Sequence, residues 1–289
     1  MISDSFYRLG QYIARSLPLD KAYSFSRQVA LVRYYSSLKG KKIVAENLRT
    51  VLQSKRETFD QRKISELTRE VYMSFGKYLV EFFRFTNIDE EFIKKNVKII
   101  GLEHIDNCLK LGRGVVSLSA HLGNWELGAA ILPALGYKLD AIRLKHKAKA
   151  VNNFFDKKRA AKGVDNINTG MGIKKCFTAL KNNHILATVG DNNFSRSGEK
   201  ARFFGKIAEM PRGAAYFSYR MNAPIVPTFL VRQPDNTFIF CLDKPIMPDI
   251  SNDQDAEIRR LLEKGLAVIE DYVGRYRTQW LMYHEVWDS

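Results

Sequence analysis

The chain has 289 residues, 45% hydrophobic and 27% charged, enough apolar material for a sizeable core in one large domain or a core with appendages. Lys and Arg outnumber Asp and Glu by 46 to 31, a formal net charge of +15, and so basic a surface suits an acidic partner such as nucleic acid, an anionic membrane or an acidic protein. Cys108, Cys176 and Cys241 are too few and too far apart for a disulfide framework or a zinc site, and they fit a reducing compartment.

From the N-terminus, Ile2, Phe6, Leu9, Ile13 and Leu17 recur every three or four residues, the stripe of an amphipathic helix that Pro18 ends. Asp4, Arg8 and Arg15 interrupt it, so it is not patterned as a cleavable signal. Such a helix either lies in a membrane interface or packs on the protein's own core. Residues 22–38 continue with Tyr23, Phe25, Val29 and Val32 beside Arg27 and Arg33, ending near Gly40. Ile43, Val44, Leu48, Val51 and Leu52 predict a third helix. Ile64, Leu67, Val71, Phe75, Tyr78, Phe82 and Phe85 predict a longer fourth, whose aromatic stripe is either core or an acyl-chain groove. Residues 1–95 thus read as a helical N-terminal region able to meet a membrane. No stretch reaches the ~18 uninterrupted apolar residues of a membrane span.

Strands and helices alternate over residues 96–245. Val97, Ile99 and Ile100 suggest a strand, and Glu103–Leu111 a short helix. Val115–Ser119 is a β-branched run suited to a buried strand. Ala120–Gly123 makes a turn, and from Asn124 the residues Trp125, Leu127, Ala130, Ile131 and Ala134 follow helical spacing until Gly136. Tyr137–Leu144 reads as a strand, Asn152–Lys162 as a helix closed by Gly163, and Ile173–Leu180 as a helix. Ile185–Val189 is a compact strand, followed by a long irregular loop over Gly190–Gly213 with Pro211 at the first position of a helix. Ile225–Val231 and Phe238–Leu242 suggest a hairpin. The pattern predicts an α/β fold, a mainly parallel mixed sheet flanked by helices, with a late antiparallel portion. Residues 246–289 read as a C-terminal helical region, capped at Asp249, Ser251 or Asp253, with Trp280–Tyr283 packing back. Trp280 and Trp287 suit either core packing or a membrane interface.

His121 falls at a strand's C-terminal end, where open α/β sheets place ligands and chemistry. Glu126, on the following helix's first turn, can accept a hydrogen bond from one ring nitrogen, leaving the other as a base with a fixed tautomer. The substrate's own hydroxyl would then be the nucleophile. The same spacing also serves a His that caps the helix and a Glu that favours its positive end. Arg143–Lys162 holds Arg143, Lys145, Lys147, Lys149, Lys157, Lys158, Arg159 and Lys162 with Asp156 as its only acid, either a solvated face or a phosphate-binding wall. Arg212, at a helix start, can hold an anion. No dinucleotide or Walker fingerprint, helix-turn-helix, zinc or RNP motif is present, which removes support for nucleotide folds and nucleic-acid binding. His104, His146, His184 and His284 are scattered and form no metal-hydrolase motif.

The blocks SAHLGNWELG, GDNNFSRSG, FFGKIAEMPRGAA and NAPIVPTFLVR, in that order, resemble the lipid A biosynthesis late acyltransferases (lauroyl and myristoyl acyltransferases) of the wider glycerol-3-phosphate and lysophospholipid acyltransferase superfamily. The resemblance covers roughly Val97 to Leu242. It implies a glycerol-3-phosphate acyltransferase-like fold and a role in lipopolysaccharide biosynthesis. A fatty acyl chain would move directly from an acyl carrier protein thioester to a hydroxyl of a phosphorylated glycolipid, without cofactor or metal. The place of action would be the cytoplasmic face of the bacterial inner membrane, held peripherally or by the N-terminus. By resemblance, His121 is the general base, Glu126 its partner, Asp191 opens a conserved-type DxNF-like block and Arg159 assists. Gly123, Asn124, Trp125, Asn193, Phe203, Phe204, Gly205, Pro211, Arg212 and Gly213 fall in the substrate-side blocks. The oxyanion would be met by the amides of Gly123 or Asn124, or by Arg159. An acidic carrier protein, a phosphorylated acceptor and anionic lipid all suit the basic surface. Another glycolipid or a lysophospholipid is the alternative acceptor, and a hydrolase or a basic membrane- or nucleic-acid-binding module the alternative class.

Overall fold

Short β-branched runs build the frame. In chain order the strands are β1 (Val97–Ile100), β2 (Val115–Ser119), β3 (Leu139–Arg143), β4 (Val164–Asn168), β5 (Ile185–Val189), β6 (Glu199–Phe203), β7 (Lys206–Met210), β8 (Ile225–Arg232) and β9 (Phe238–Leu242). Seven form one sheet in the order β1-β9-β8-β2-β5-β3-β4, while β6 and β7 form a separate hairpin. β8, β2, β5, β3 and β4 run parallel. β9 turns back antiparallel to β8, and β1 follows β9. The computed structural model describes residues 4–85, 89–143, 149–168, 172–193 and 198–287, without the side chains of 4–7 and 149–151. Ile2, Leu144, Lys145, His146, Lys147 and Phe194 lie outside the described residues, as do the side chains of Phe6 and Lys149.

The helices are α1 (Asp4–Ser16), α2 (Leu19–Ser36), α3 (Leu38–Ser54), α4 (Gln61–Phe83), α5 (Glu90–Asn96), α6 (Leu102–Leu109), α7 (Trp125–Ala134), α8 (Lys149–Ala160), α9 (Ile173–Lys181), α10 (Gly213–Met221) and α11 (Gln254–Arg275). They cover both faces of the sheet, because alternate residues of a strand point to opposite sides. Val116 and Leu118 of β2 share a core with α10, α11 and Val51 of α3. Val115 shares the other with Leu127 and Ile131 of α7 and with Phe82 and Phe83 of α4. Phe82 and Phe85 are fully buried, so this part of the aromatic stripe is core. Among the described residues, no helix is long and apolar enough to cross a membrane.

The structure departs from the sequence reading in five places. α1 buries Ala14 and sets Gly10 against Phe83, while Leu9 of its predicted stripe faces outward with Tyr12. α5 was not anticipated; its signals are end effects, an Asp89 cap on Phe92, acids in the first turn and lysines in the last. β4 carries only two apolar residues and sits at the sheet's edge, which hides it from periodicity. The predicted loop Gly190–Gly213 contains the β6–β7 hairpin, turned by Phe204 and Gly205 at φ 49° and 79°. Two left-handed residues suit a tight hairpin, but Phe is an uncommon first member, so the turn signal was weak. Pro211 precedes α10, whose N-cap is Arg212, rather than opening it.

The C-terminal segment packs back on the sheet's upper end. Trp280 is 2% exposed among Phe203, Phe204 and Trp287, and Trp287 donates to the Phe203 carbonyl at 2.9 Å. Trp280 is therefore a core element, and the half-buried Trp287 packs against that core.

Candidate active site

Register brings the central pair together. β2 and β5 are parallel neighbours with Ser119 opposite Val189, and Gly190 N–H continues the ladder to the Ser119 carbonyl at 2.9 Å. Two residues past each strand end, His121 and Asp191 therefore meet. The His121 backbone N–H donates to Asp191 Oδ2 at 2.8 Å, and His121 Nδ1 lies 2.8 Å from Oδ1. Trp280 Nε1 donates to Oδ2 at 2.9 Å. Asp191 is fully buried, which opposes its charge, yet the neighbouring His121 and these hydrogen bonds hold its carboxyl below the usual range. An ionised Asp191 only accepts, so Nδ1 carries the proton and Nε2 keeps the lone pair. Burial also opposes a charged His121 ring, but Asp191, by charge and hydrogen bond, and the charge of Glu126 raise its pKa.

Glu126 does not hold Nδ1, as the local spacing had suggested. Its carboxylate is taken by Arg159: Nε donates to Oε2 at 2.7 Å and Nη2 to Oε1. Arg159 also donates to Asn166 at 3.2 Å. The planar guanidinium and carboxylate match as a fork, whereas Asp191 reaches His121 from the adjacent strand. Burial works against the Arg159 charge, but Glu126 outweighs it and raises the pKa.

The turn between β2 and α7 is tightly held. Gly123 has φ 62°, and a Cβ there would stand 2.0 Å from the Leu230 carbonyl oxygen, so only glycine fits. Its N–H donates to the Gln279 carbonyl at 2.9 Å, and the Asn124 N–H to Leu230 at 3.0 Å. Both amides are thus engaged, which removes them as oxyanion donors. The Asn124 side chain caps α7 at Leu127 N–H, and Gly128 N–H bonds the Asn124 carbonyl. By helix geometry the amides of Trp125 and Glu126 have no acceptor within α7. Trp125 stacks on Tyr78 with centroids 4.7 Å apart, and His121 stands edge-on to Trp125 at 4.9 Å.

A second buried carboxylate anchors the turn, and the sequence reading missed it. Glu81 of α4 accepts from Asn124 Nδ2 at 2.6 Å, from Tyr23 OH at 2.9 Å and from Arg232 Nε at 2.7 Å. Glu81 and Arg232 are both buried. One acid between aromatic positions of a helix, and one cation ending an apolar strand, were the available signals.

The other predicted residues are dispersed. Asn193 is half-buried two residues past Asp191. Phe203 and Phe204 are buried against Trp280, one layer behind Asp191, and so support the site rather than line it. Gly205 is at the exposed hairpin turn. Pro211 borders a small apolar void with Leu118, Gly190 and Ile269, while exposed Arg212 and half-buried Gly213 begin α10. In the basic segment, Lys158 points inward, donating to the Phe83 carbonyl at 3.1 Å, with burial pushing its pKa down to about 8. Arg143 pairs with Asp156 at 2.7 Å. Those two cations are not part of a solvated phosphate wall. His104 bonds the Leu242 carbonyl and His184 bonds Asp140, both at 2.8 Å, as packing residues. The pKa of His284 is lowered, first by desolvation of its ring and then by the charge of His121, so it lies near the site. Among the described residues, no group of three or more His, Cys, Asp or Glu side chains could hold a metal ion.

A family model described as bacterial lipid A biosynthesis acyltransferase matches residues 2–289. A phosphatidylinositol mannoside acyltransferase of Mycobacterium tuberculosis is 26% identical over 161 residues, 54% of this chain and 51% of the relative. The protein of the same name from Mycolicibacterium smegmatis is 24% identical over 166 residues, 56% of this chain and 55% of the relative. The chain spans about half the length of the curated relatives it matches.

Proposed function

The chain belongs to the bacterial lipid A biosynthesis acyltransferase family, and from that premise we propose that it is an acyltransferase that moves a fatty acyl chain from an acyl carrier protein thioester to a hydroxyl of a phosphorylated glycolipid. The observation that carries this reading is the Asp191–His121 pair at the C-terminal end of the central strands. His121 Nε2 takes the proton of the acceptor hydroxyl as its oxygen attacks the thioester carbonyl, general-base catalysis worth typically ~10²–10⁴-fold. Asp191 holds the tautomer and stabilises the imidazolium. Arg159 and the first amides of α7 receive the oxyanion. Collapse breaks the C–S bond, and the departing thiolate recovers the proton from His121. No acyl-enzyme forms.

Glu126 then acts through Arg159 rather than through the His121 Nδ1 atom. The family description names lipid A and the relatives' names a phosphatidylinositol mannoside; both are phosphate-bearing glycolipids, which supports that acceptor class. The net charge of +15 suits an acidic carrier protein and a phosphorylated acceptor. Carrier protein as donor puts the reaction on the cytoplasmic face of the inner membrane.

Mass spectrometry of lipid products tests the proposal. Purified protein is given acyl carrier protein thioesters with a lipid A precursor or a phosphatidylinositol mannoside in detergent. Acylated lipid from the wild type, lost in Asp191→Asn, is expected. Thioester consumption without acylated lipid would make the protein a hydrolase, and no turnover by folded protein would sink the reading.

A further inference from the structure

α2 has two apolar sides. Its inner face, with Ala22, Tyr23, Ser26, Ala30 and Tyr34, is buried, and Gly76 of α4 lets the Ser26 backbone and Ala30 approach closely. Its outer face carries Phe25, Val29, Val32 and Tyr35, exposed by 46%, 43%, 69% and 67%. At 100° per residue these four fall on one side of the helix. Among the described residues, seven of the fourteen strongly exposed large apolar side chains lie between Leu9 and Leu38, and the other seven are spread from Ile100 to Ile250. Such a concentration marks an interaction surface, whereas single exposed apolar residues do not.

Charge identifies what covers it. Residues 19–42 hold six cations, Lys21, Arg27, Arg33, Lys39, Lys41 and Lys42, against one acid, Asp20. A second copy of this chain would bring the same cations face to face. An anionic bilayer offers acyl chains to the ridge and phosphates to its flanks. We propose that the outer face of α2, centred on Phe25, Val29 and Val32, is the surface by which the protein lies on an anionic membrane. The proposal rests on the reading of the acceptor as a membrane lipid, and it assigns the contact to α2 in addition to the α1 helix that the sequence alone suggested. Tyr23, on the inner side of the same helix, bonds Glu81, which bonds Asn124 beside His121. The catalytic turn is thereby held at a fixed height above the docking face.

Co-sedimentation with vesicles of phosphatidylcholine, alone or doped with phosphatidylglycerol, tests this on the full chain. The double variant Phe25→Ser/Val32→Ser changes only exposed side chains, and circular dichroism with thermal melting checks its fold. Expected are salt-sensitive binding of the wild type to doped vesicles and an affinity at least about tenfold weaker in the variant, as less apolar area enters the interface. Acyl transfer to detergent-dispersed acceptor should be unchanged. Equal vesicle binding by both proteins overturns the proposal, as does a wild-type dimer in sedimentation velocity that the variant dissolves. Vesicle binding lost in the variant, with a wild type inactive on every acceptor, would keep the docking face and remove only the enzymatic reading.

Discussion

A single buried carboxylate, Asp191, fastens both the backbone and the ring of His121. Oδ2 fixes where the turn sits and Oδ1 fixes how the imidazole is turned. The ring therefore has neither freedom of position nor choice of tautomer, which is what a preorganised base requires.

Replacing that carboxylate by an amide keeps the shape and reverses the chemistry. In Asp191→Asn the amide oxygen keeps the two donors at the Oδ2 position, His121 N–H and Trp280 Nε1, and the NH2 group faces His121 Nδ1 as a donor. The favoured tautomer is lost, and kcat should fall by about 10³–10⁴-fold with little change in KM. Steady-state kinetics decide it; a loss below tenfold would move the orienting role to another group.

The pH dependence has a definite sign. The folded-state pKa of His121 is raised above its ordinary value. A base must be unprotonated, so kcat/KM should climb with pH along a limb whose midpoint lies above about 6.5. For stability, the raised His121 pKa contributes fully below the unfolded value and is lost as pH rises through the folded one. The lowered Asp191 pKa contributes above its unfolded value and is lost as pH falls through the folded one. In Glu126→Gln the rate limb should move to lower pH, because the Glu126 charge no longer favours the imidazolium. A limb that stays in place would show that this charge does not reach the ring.

Arg159 is tested separately. Arg159→Met removes the cation assigned to the oxyanion while keeping an apolar stem of similar length. The expected cost is about 10²–10³-fold in kcat, the scale of one lost oxyanion donor. A rise in KM at constant kcat would instead make Arg159 a substrate-binding residue.

The Glu81 network is a stability device. Glu81→Leu leaves the buried Arg232 guanidinium unpaired and should destabilise the fold by about 3–5 kcal/mol, measured by urea unfolding. Adding Arg232→Met removes the orphaned charge and should restore part of that loss. If the double variant were no more stable than the single one, the uncompensated charge would not be the cause.

Much of the frame was legible because it is local. VVSLS and ILATV are apolar strands on sight, and each is followed by one small residue and then His121 or Asp191. That matching frame was the signal for the pair. It was outweighed by Glu126, which is near in sequence, because nothing local shows that β2 and β5 are neighbours in register. The partners that Glu81, Arg232 and Trp280 take at the site are not legible for the same reason: they lie far along the chain. The resemblance puts Phe203 and Phe204 in a substrate-side block, but motif position does not report depth, and these rings are buried.

The last strap of the site comes from far downstream. Gln279 accepts from the Gly123 amide, Trp280 donates to Asp191, and the Leu281 amide bonds the His121 carbonyl at 2.7 Å. A ribosome must therefore have added these three residues before the base can be seated. Throughout translation the helical front is already made while the catalytic turn lacks its keeper. The docking face proposed on α2 is therefore synthesised before the residues that hold the proposed base in place.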